Sequence, residues 1–188
     1  ALRDVAAVRA IRVQIERDRP DLAHDLSGLR RESIRLALQR NGDDGALAEP
    51  AFDLFFAERQ RVDLYEDALP ALQFLAARWP VVALSNGNAS VHVVGIGEHF
   101  HAALSASKAG MAKPDVRFFH AAAAAAGVAP DEVLHIGDDA RLDALGAMDA
   151  GMHAVWLNRT GVAWPHEGST PHVTVASLAQ LCQGLADS

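Results

Sequence analysis

Pro80-Val81-Val82-Ala83-Leu84-Ser85-Asn86-Gly87-Asn88 is a short apolar run that ends abruptly in a hydroxyl, two amides and a glycine. Apolar residues in unbroken succession, without a polar alternate face, mark a strand buried on both sides. Similar runs recur at 101–105, 132–136 and 153–157, with a weaker one at 172–175. Helical patterns occupy the intervals, near 67–78, at 114–126, from Asp138 toward Gly151, and at 178–185. Strands alternating with helices predict an α/β fold, a Rossmann-like parallel sheet.

Upstream the pattern is different. Leu2, Val5, Val8, Ile11 and Ile15 recur at helical spacing, as do Phe52, Phe55 and Phe56 further on, and no strand-like run interrupts residues 1–62. Pro20-Asp21 predicts the start of a second helix with Asp21 as its cap, and Asn41-Gly42 predicts its end. The expected organisation is a helical unit over residues 1–64 and an α/β unit over 65–188.

Composition narrows the classes of function. The chain has 188 residues, half of them apolar and 22% charged, a globular balance that excludes a disordered or fibrous protein. Seventeen Lys and Arg against 24 Asp and Glu give a net charge of −7, which argues against a nucleic-acid partner. The single cysteine, Cys182, has no partner for an internal disulfide, and no apolar run approaches the ~20 residues that span a bilayer. A cytoplasmic setting with no membrane partner is expected, and the opening at Ala1, without Met, suggests that the natural start lies upstream.

In open parallel sheets, reactive groups gather just past the carboxyl ends of the strands. Three such places are polar. Ser85-Asn86-Gly87-Asn88 offers a hydroxyl, amide side chains and backbone N–H groups suited to an oxyanion, although alone it is an ordinary strand exit. Lys113 precedes Pro114 at a helix start, where the dipole and free N–H groups favour an anion and the ammonium adds a full charge. Asp138 and Asp139 follow Gly137, with Asp143 one helical turn later. Asp139 could serve as a helix cap, but capping leaves Asp138 and Asp143 unexplained, and the three carboxylates suit a hard cation such as Mg²⁺.

Taken in order, Ser85 after one strand, Lys113-Pro114 before a helix, and Leu134-His135-Ile136-Gly137-Asp138-Asp139 with Asp143 after another strand resemble motifs two, three and four of the haloacid dehalogenase superfamily. Within it, Ser85-Asn86-Gly87-Asn88 and Gly137-Asp138-Asp139 look most like the flavin mononucleotide phosphatase branch, which also dephosphorylates a ribitylaminouracil intermediate of riboflavin synthesis. The resemblance implies Mg²⁺-dependent hydrolysis of a small phosphate monoester through an aspartyl-phosphate, with residues 1–64 as a helical cap over the core. By the same resemblance Ser85, Asn86, Gly87 and Lys113 hold the phosphate and Asp138 binds the metal directly. Asp139 then stands in the metal's outer shell, and Asp143 orients Lys113 or a metal-bound water.

The family's first motif, Asp-x-Asp after the first strand, is not in this sequence: none of the sixteen Asp residues lie two apart. In the family that strand lies between the ones ending here at Leu84 and Ile136. The expectation is therefore that a nucleophile-bearing segment precedes Ala1 in the natural protein and that this chain alone is inactive. The alternatives are a phosphate- or metal-binding remnant and a split enzyme. A dehalogenase is disfavoured because that chemistry needs no cation, and a receiver domain because it carries no helical cap. His99 and His101, two apart, are weak metal candidates, and Arg30, Arg31 and Arg35 are candidates to reach a substrate's polar tail.

Overall fold

A computed structural model describes residues 5–187 of the chain. Leu2, the first position of the apolar pattern above, lies outside the described residues. Three helices come first: α1 (Val5–Asp18), α2 (Leu26–Asn41) and α3 (Ala48–Arg59). Ile11 and Ile15 of α1 pack on Leu29 and Ala37 of α2, so the apolar stripe of each helix is buried against its neighbour.

Pro20 does not start α2. Residues Pro20–Leu22 make a single 3₁₀ turn, and α2 begins after Asp25, whose carboxylate accepts the Ser27 N–H at 3.0 Å. Proline's fixed φ suits either kind of first turn, which is why the residue misleads. The end falls where the sequence puts it, with Gly42 left-handed at φ 78°.

The alternating half runs α4 (Ala68–Ala76), β1 (Val82–Ser85), α5 (Val91–Val94), β2 (Ala102–Ser105), α6 (Ala106–Ala109), α7 (Val116–Ala126), β3 (Leu134–Gly137), α8 (Gly146–Asp149), β4 (His153–Leu157), β5 (Val173–Val175) and α9 (Leu178–Ala186). Every strand pair is parallel, as the apolar runs predict. Among the described residues the strands form two sheets, β1-β2 and β3-β4-β5, and neither β1 nor β3 has a strand on its other edge.

Burial follows that division. Ala154, Val155 and Trp156 of the inner strand β4 are buried, whereas Val82, Ala83 and Leu84 of β1 are only half-buried and Leu134 of β3 is exposed. Phe119 and Ala123 of α7 pack with Ala144, Ala147, Met152 and Trp156 beneath the three-stranded sheet. The opening of α4 is fastened to the far end of the chain: Asp67 takes Arg159 at 2.8 and 3.1 Å and the Leu178 N–H at 2.8 Å.

Two further expectations change. Helix α7 starts at Val116, two residues after Pro114, capped by the Asp115 carboxylate on the Arg117 N–H. His99 ends a 3₁₀ turn rather than sharing a strand face with His101, and its ring lies 3.7 Å from the Glu98 carboxylate.

Candidate active site at the strand ends

Ser85 ends β1, and its hydroxyl accepts the Gly87 N–H at 2.9 Å, curling the loop into a tight turn at the strand's exit. The next residue does something the sequence did not announce. The Asn86 amide donates to the Lys113 carbonyl at 2.9 Å and accepts the Lys113 N–H at 2.8 Å, so one side chain satisfies both backbone groups of a residue 27 positions away. This is the pairing a neighbouring strand would supply, performed by a carboxamide. It fixes Lys113, which is joined to Pro114 by a cis peptide bond, beside the end of β1. The Asn86 side chain is thereby engaged at both its ends by the Lys113 backbone.

Lys113 points its ammonium at Asp143, Nζ to Oδ1 2.5 Å, and both side chains are largely withdrawn from water. Asp143 is only 4% exposed. Its other partners are the His135 ring, 3.4 Å from Oδ1, and the Asp139 N–H, 3.0 Å from Oδ2. Burial raises the Asp143 pKa, but the His135 hydrogen bond and the Lys113 charge outweigh it, and the group is lowered to about 2. Asp143 is therefore a carboxylate throughout the physiological range.

Two local devices place it there. The Asp139 carbonyl accepts from both the Asp143 and the Ala144 N–H groups, at 3.0 and 3.2 Å, so the chain enters a widened π turn over Ala140–Leu145 before narrowing into α8. That turn lays Asp143 against the end of β3 at Gly137. A Cβ on Gly137 would stand 2.2 to 2.4 Å from the Asp143 side chain, so only glycine permits the contact.

The remaining acids behave differently from one another. The Asp139 carboxylate caps the turn, accepting the Arg141 and Leu142 N–H groups at 2.9 and 2.7 Å. The Asp138 carbonyl is held by the Trp156 indole N–H at 2.9 Å, from the neighbouring strand, and its side chain is exposed. The three carboxylates do not converge into a cage, and among the described residues no group of three or more His, Cys, Asp or Glu side chains does so. Asp138 remains the exposed acid at the mouth. Mg²⁺ is commonly held by one or two carboxylates with water and substrate phosphate completing its shell, so this donor set fits that ion in its sparest form.

His135, which the sequence offers only as a residue of the apolar run 132–136, is a neighbour of Asp143. It lies two residues before Gly137 on β3, so it shares a sheet face with that glycine, and its ring meets Phe119 edge-on at 5.0 Å. The helices α2 and α3 reach the same loop: the Asn88 amide donates to Ser27 Oγ at 3.3 Å, and Gln60 accepts the Ser90 N–H at 2.8 Å. Arg31 and Arg35 are spoken for, Arg31 by Glu49 and the Phe52 ring and Arg35 by Glu32 and Glu49.

Comparison with known proteins gives the family and the fold. A family model described as haloacid dehalogenase-like hydrolase matches residues 2–151. The chain is 31% identical over 187 residues to the 5-amino-6-(5-phospho-D-ribitylamino)uracil phosphatase YigB of Escherichia coli (strain K12), covering 93% of this chain and 76% of that protein. It is 34% identical over 158 residues to a phosphoserine phosphatase of Thermus thermophilus, covering 81% of this chain and 63% of that protein. Among solved structures, a 2-haloacid dehalogenase from Pseudomonas syringae pv. tomato DC3000 superposes with a TM-score of 0.88 at 33% identity, over 98% of this chain and 81% of that one. Among the described residues no helix is long and apolar enough to cross a membrane.

Proposed function

Because the chain belongs to the haloacid dehalogenase-like hydrolases, we propose that it is the major part of a phosphatase acting on small phosphate monoesters, with residues 1–64 as a cap and residues 65–188 as the core. The observation that carries this reading is the linkage of the ends of β1 and β3 through Lys113 into one polar site, Asn86 to Lys113 and Lys113 to Asp143. A buried ammonium held against a carboxylate beside an exposed hydroxyl and an exposed acid is suited to a dianionic phosphate.

In this reading the Ser85 hydroxyl, which accepts the Gly87 N–H and still has its own proton to donate, holds a phosphoryl oxygen, and Lys113 places its charge against the phosphate without having to reorganise during the reaction. Asp143 is a positioning residue: with its oxygens taken by Lys113, His135 and the Asp139 N–H, it orients the ammonium and does not touch substrate. Asp138 would hold Mg²⁺, with Asp139 behind it, and the ion would supply charge neutralisation on the phosphoryl group.

The unpaired inner edges of β1 and β3 support a further strand between them, bearing the aspartate nucleophile and supplied by residues preceding Ala1 or by a separate chain. The 188-residue chain alone then releases no phosphate. The kinship with the Escherichia coli enzyme makes riboflavin-pathway phosphates and flavin mononucleotide the first esters to assay. The test is phosphate release by the protein as its gene encodes it, with and without Mg²⁺. Release that requires the ion and is lost in Lys113→Met supports the reading; a metal-independent background unchanged by that substitution refutes it.

A further inference from the structure

A cavity of about 400 Å³ opens between the three N-terminal helices and the loop after β1, in the range of small-molecule sites. Arg12 of α1, Arg30 of α2 and Arg59 of α3 line it with Leu29, Phe55 and Asn88, and no carboxylate is among its lining residues. The Arg30 guanidinium lies 4.5 Å from the Phe55 ring centroid. Arg12 is paired with Glu16 at 2.7 Å on the exposed side of α1, whereas neither Arg30 nor Arg59 has a carboxylate partner among the described residues. On the same helix Arg31 and Arg35 do. Two of the three arginines that line the cavity, Arg30 and Arg59, are thus without a carboxylate partner among the described residues, and the third, Arg12, has Glu16. Burial and then the charges of Arg12 and Arg59 lower the pKa of Arg30, as expected where cations face one another.

We propose that this cavity binds an organic anion, a carboxylate or phosphate group on an apolar body, with the charge on Arg30 and Arg59 and the body against Leu29 and Phe55. Resting on the phosphatase reading, the anion is the second charged group of the ester whose phosphate sits at Ser85 and Lys113. Asn88, which lines the cavity, is three residues from Ser85, so the cavity wall at Asn88 comes within about 10 Å of the Ser85 backbone. Guanidinium groups suit the role because they stay charged, fork onto carboxylate or phosphate oxygens and stack on rings. Within the substrate class, an ester with a distal carboxylate is then preferred over one of similar size with an uncharged ring, such as flavin mononucleotide.

Two measurements test this. First, 3-phenylpropionate and its uncharged amide are titrated into the 188-residue chain and followed by amide chemical shifts. The carboxylate should bind about tenfold more tightly than the amide and shift Asn88 and Arg59. Arg30→Gln and Arg59→Gln should each weaken it by about fivefold or more with unchanged circular dichroism, while Arg17→Gln, an equal charge loss on the exposed side of α1, should not. Equal binding of acid and amide, or full affinity in Arg59→Gln, overturns the proposal. Second, the gene-encoded protein is assayed on a phosphate ester carrying a terminal carboxylate and on flavin mononucleotide. The ratio of their kcat/KM values should favour the carboxylate and fall in Arg59→Gln through KM. Carboxylate binding without any ester hydrolysis leaves the cavity standing and removes the phosphatase reading. Hydrolysis without carboxylate binding or preference does the reverse.

Discussion

Replacing Asp143 by asparagine removes the charge that Lys113 and His135 share while keeping the shape of the side chain and one acceptor for the Asp139 N–H. Two effects set the size of the loss. The fall in the Asp143 pKa from 3.8 to about 2 corresponds to about 2 kcal/mol of stability in wild type. The group's folded pKa lies below its unfolded one, so this stability is present above pH 4 and disappears as pH falls through about 2. Substitution also leaves the largely buried Lys113 ammonium without its counter-ion; breaking a buried pair costs about 3–5 kcal/mol, of which the retained amide recovers part. The net expectation is a loss of about 3 kcal/mol at pH 7, shrinking to about 1 kcal/mol near pH 2. Urea unfolding followed by circular dichroism measures it, and at about 2 kcal/mol per molar the pH 7 midpoint should drop by about 1.5 M. An Asp143→Asn midpoint equal to that of wild type at pH 7, or the same acid dependence in both proteins, would show that the carboxylate is not the ionised anchor described.

Three other perturbations probe how the site is held. Gly137→Ala forces a Cβ into the Asp143 side chain at 2.2 to 2.4 Å; it should cost about 1–3 kcal/mol in urea unfolding and shift the Lys113 and His135 resonances, and an unperturbed spectrum would contradict the contact. Asn86→Asp keeps the acceptor for the Lys113 N–H but sets a carboxylate oxygen against the Lys113 carbonyl where an N–H now donates. It should lose about 1–3 kcal/mol, whereas a neutral result would mean the amide latch is incidental. Asp67→Asn weakens the tie of α4 to Arg159 and to the start of α9; a loss of about 1–2 kcal/mol, with faster amide exchange at Leu178 in α9, is expected, and unchanged exchange there would argue against that fastening.

The strands were legible because a continuous apolar run needs no distant information: Val82–Ser85, Leu134–Gly137 and His153–Leu157 fall within two residues of their expected bounds. So were the places where chemistry gathers, since strand ends in a parallel sheet converge on one edge. The connections across that edge were not. Nothing near Asn86 says that its amide will close on a backbone 27 residues later, and nothing near His135 says that its ring reaches Asp143 rather than packing in the sheet. Gly137 reads as a turn residue until the π turn lays Asp143 against it. The acidic trio was legible as residues but not as geometry. A carboxylate can cap a turn, pair with an ammonium or stand free at a mouth, and Asp139, Asp143 and Asp138 divide those tasks. The division of the sheet into two pieces has its counterpart in the family resemblance, which puts a strand not found in this sequence between the ones ending at Leu84 and Ile136.

The central claim is that the ends of β1 and β3, joined through Lys113, form one phosphate site. Titrating inorganic phosphate with Mg²⁺ into the ¹⁵N-labelled chain tests it without need of turnover. The account predicts saturable shifts at Ser85, Asn86, Gly87, Lys113 and Asp138, lost in Lys113→Met. Shifts confined to other residues, or undiminished in that variant, would contradict it.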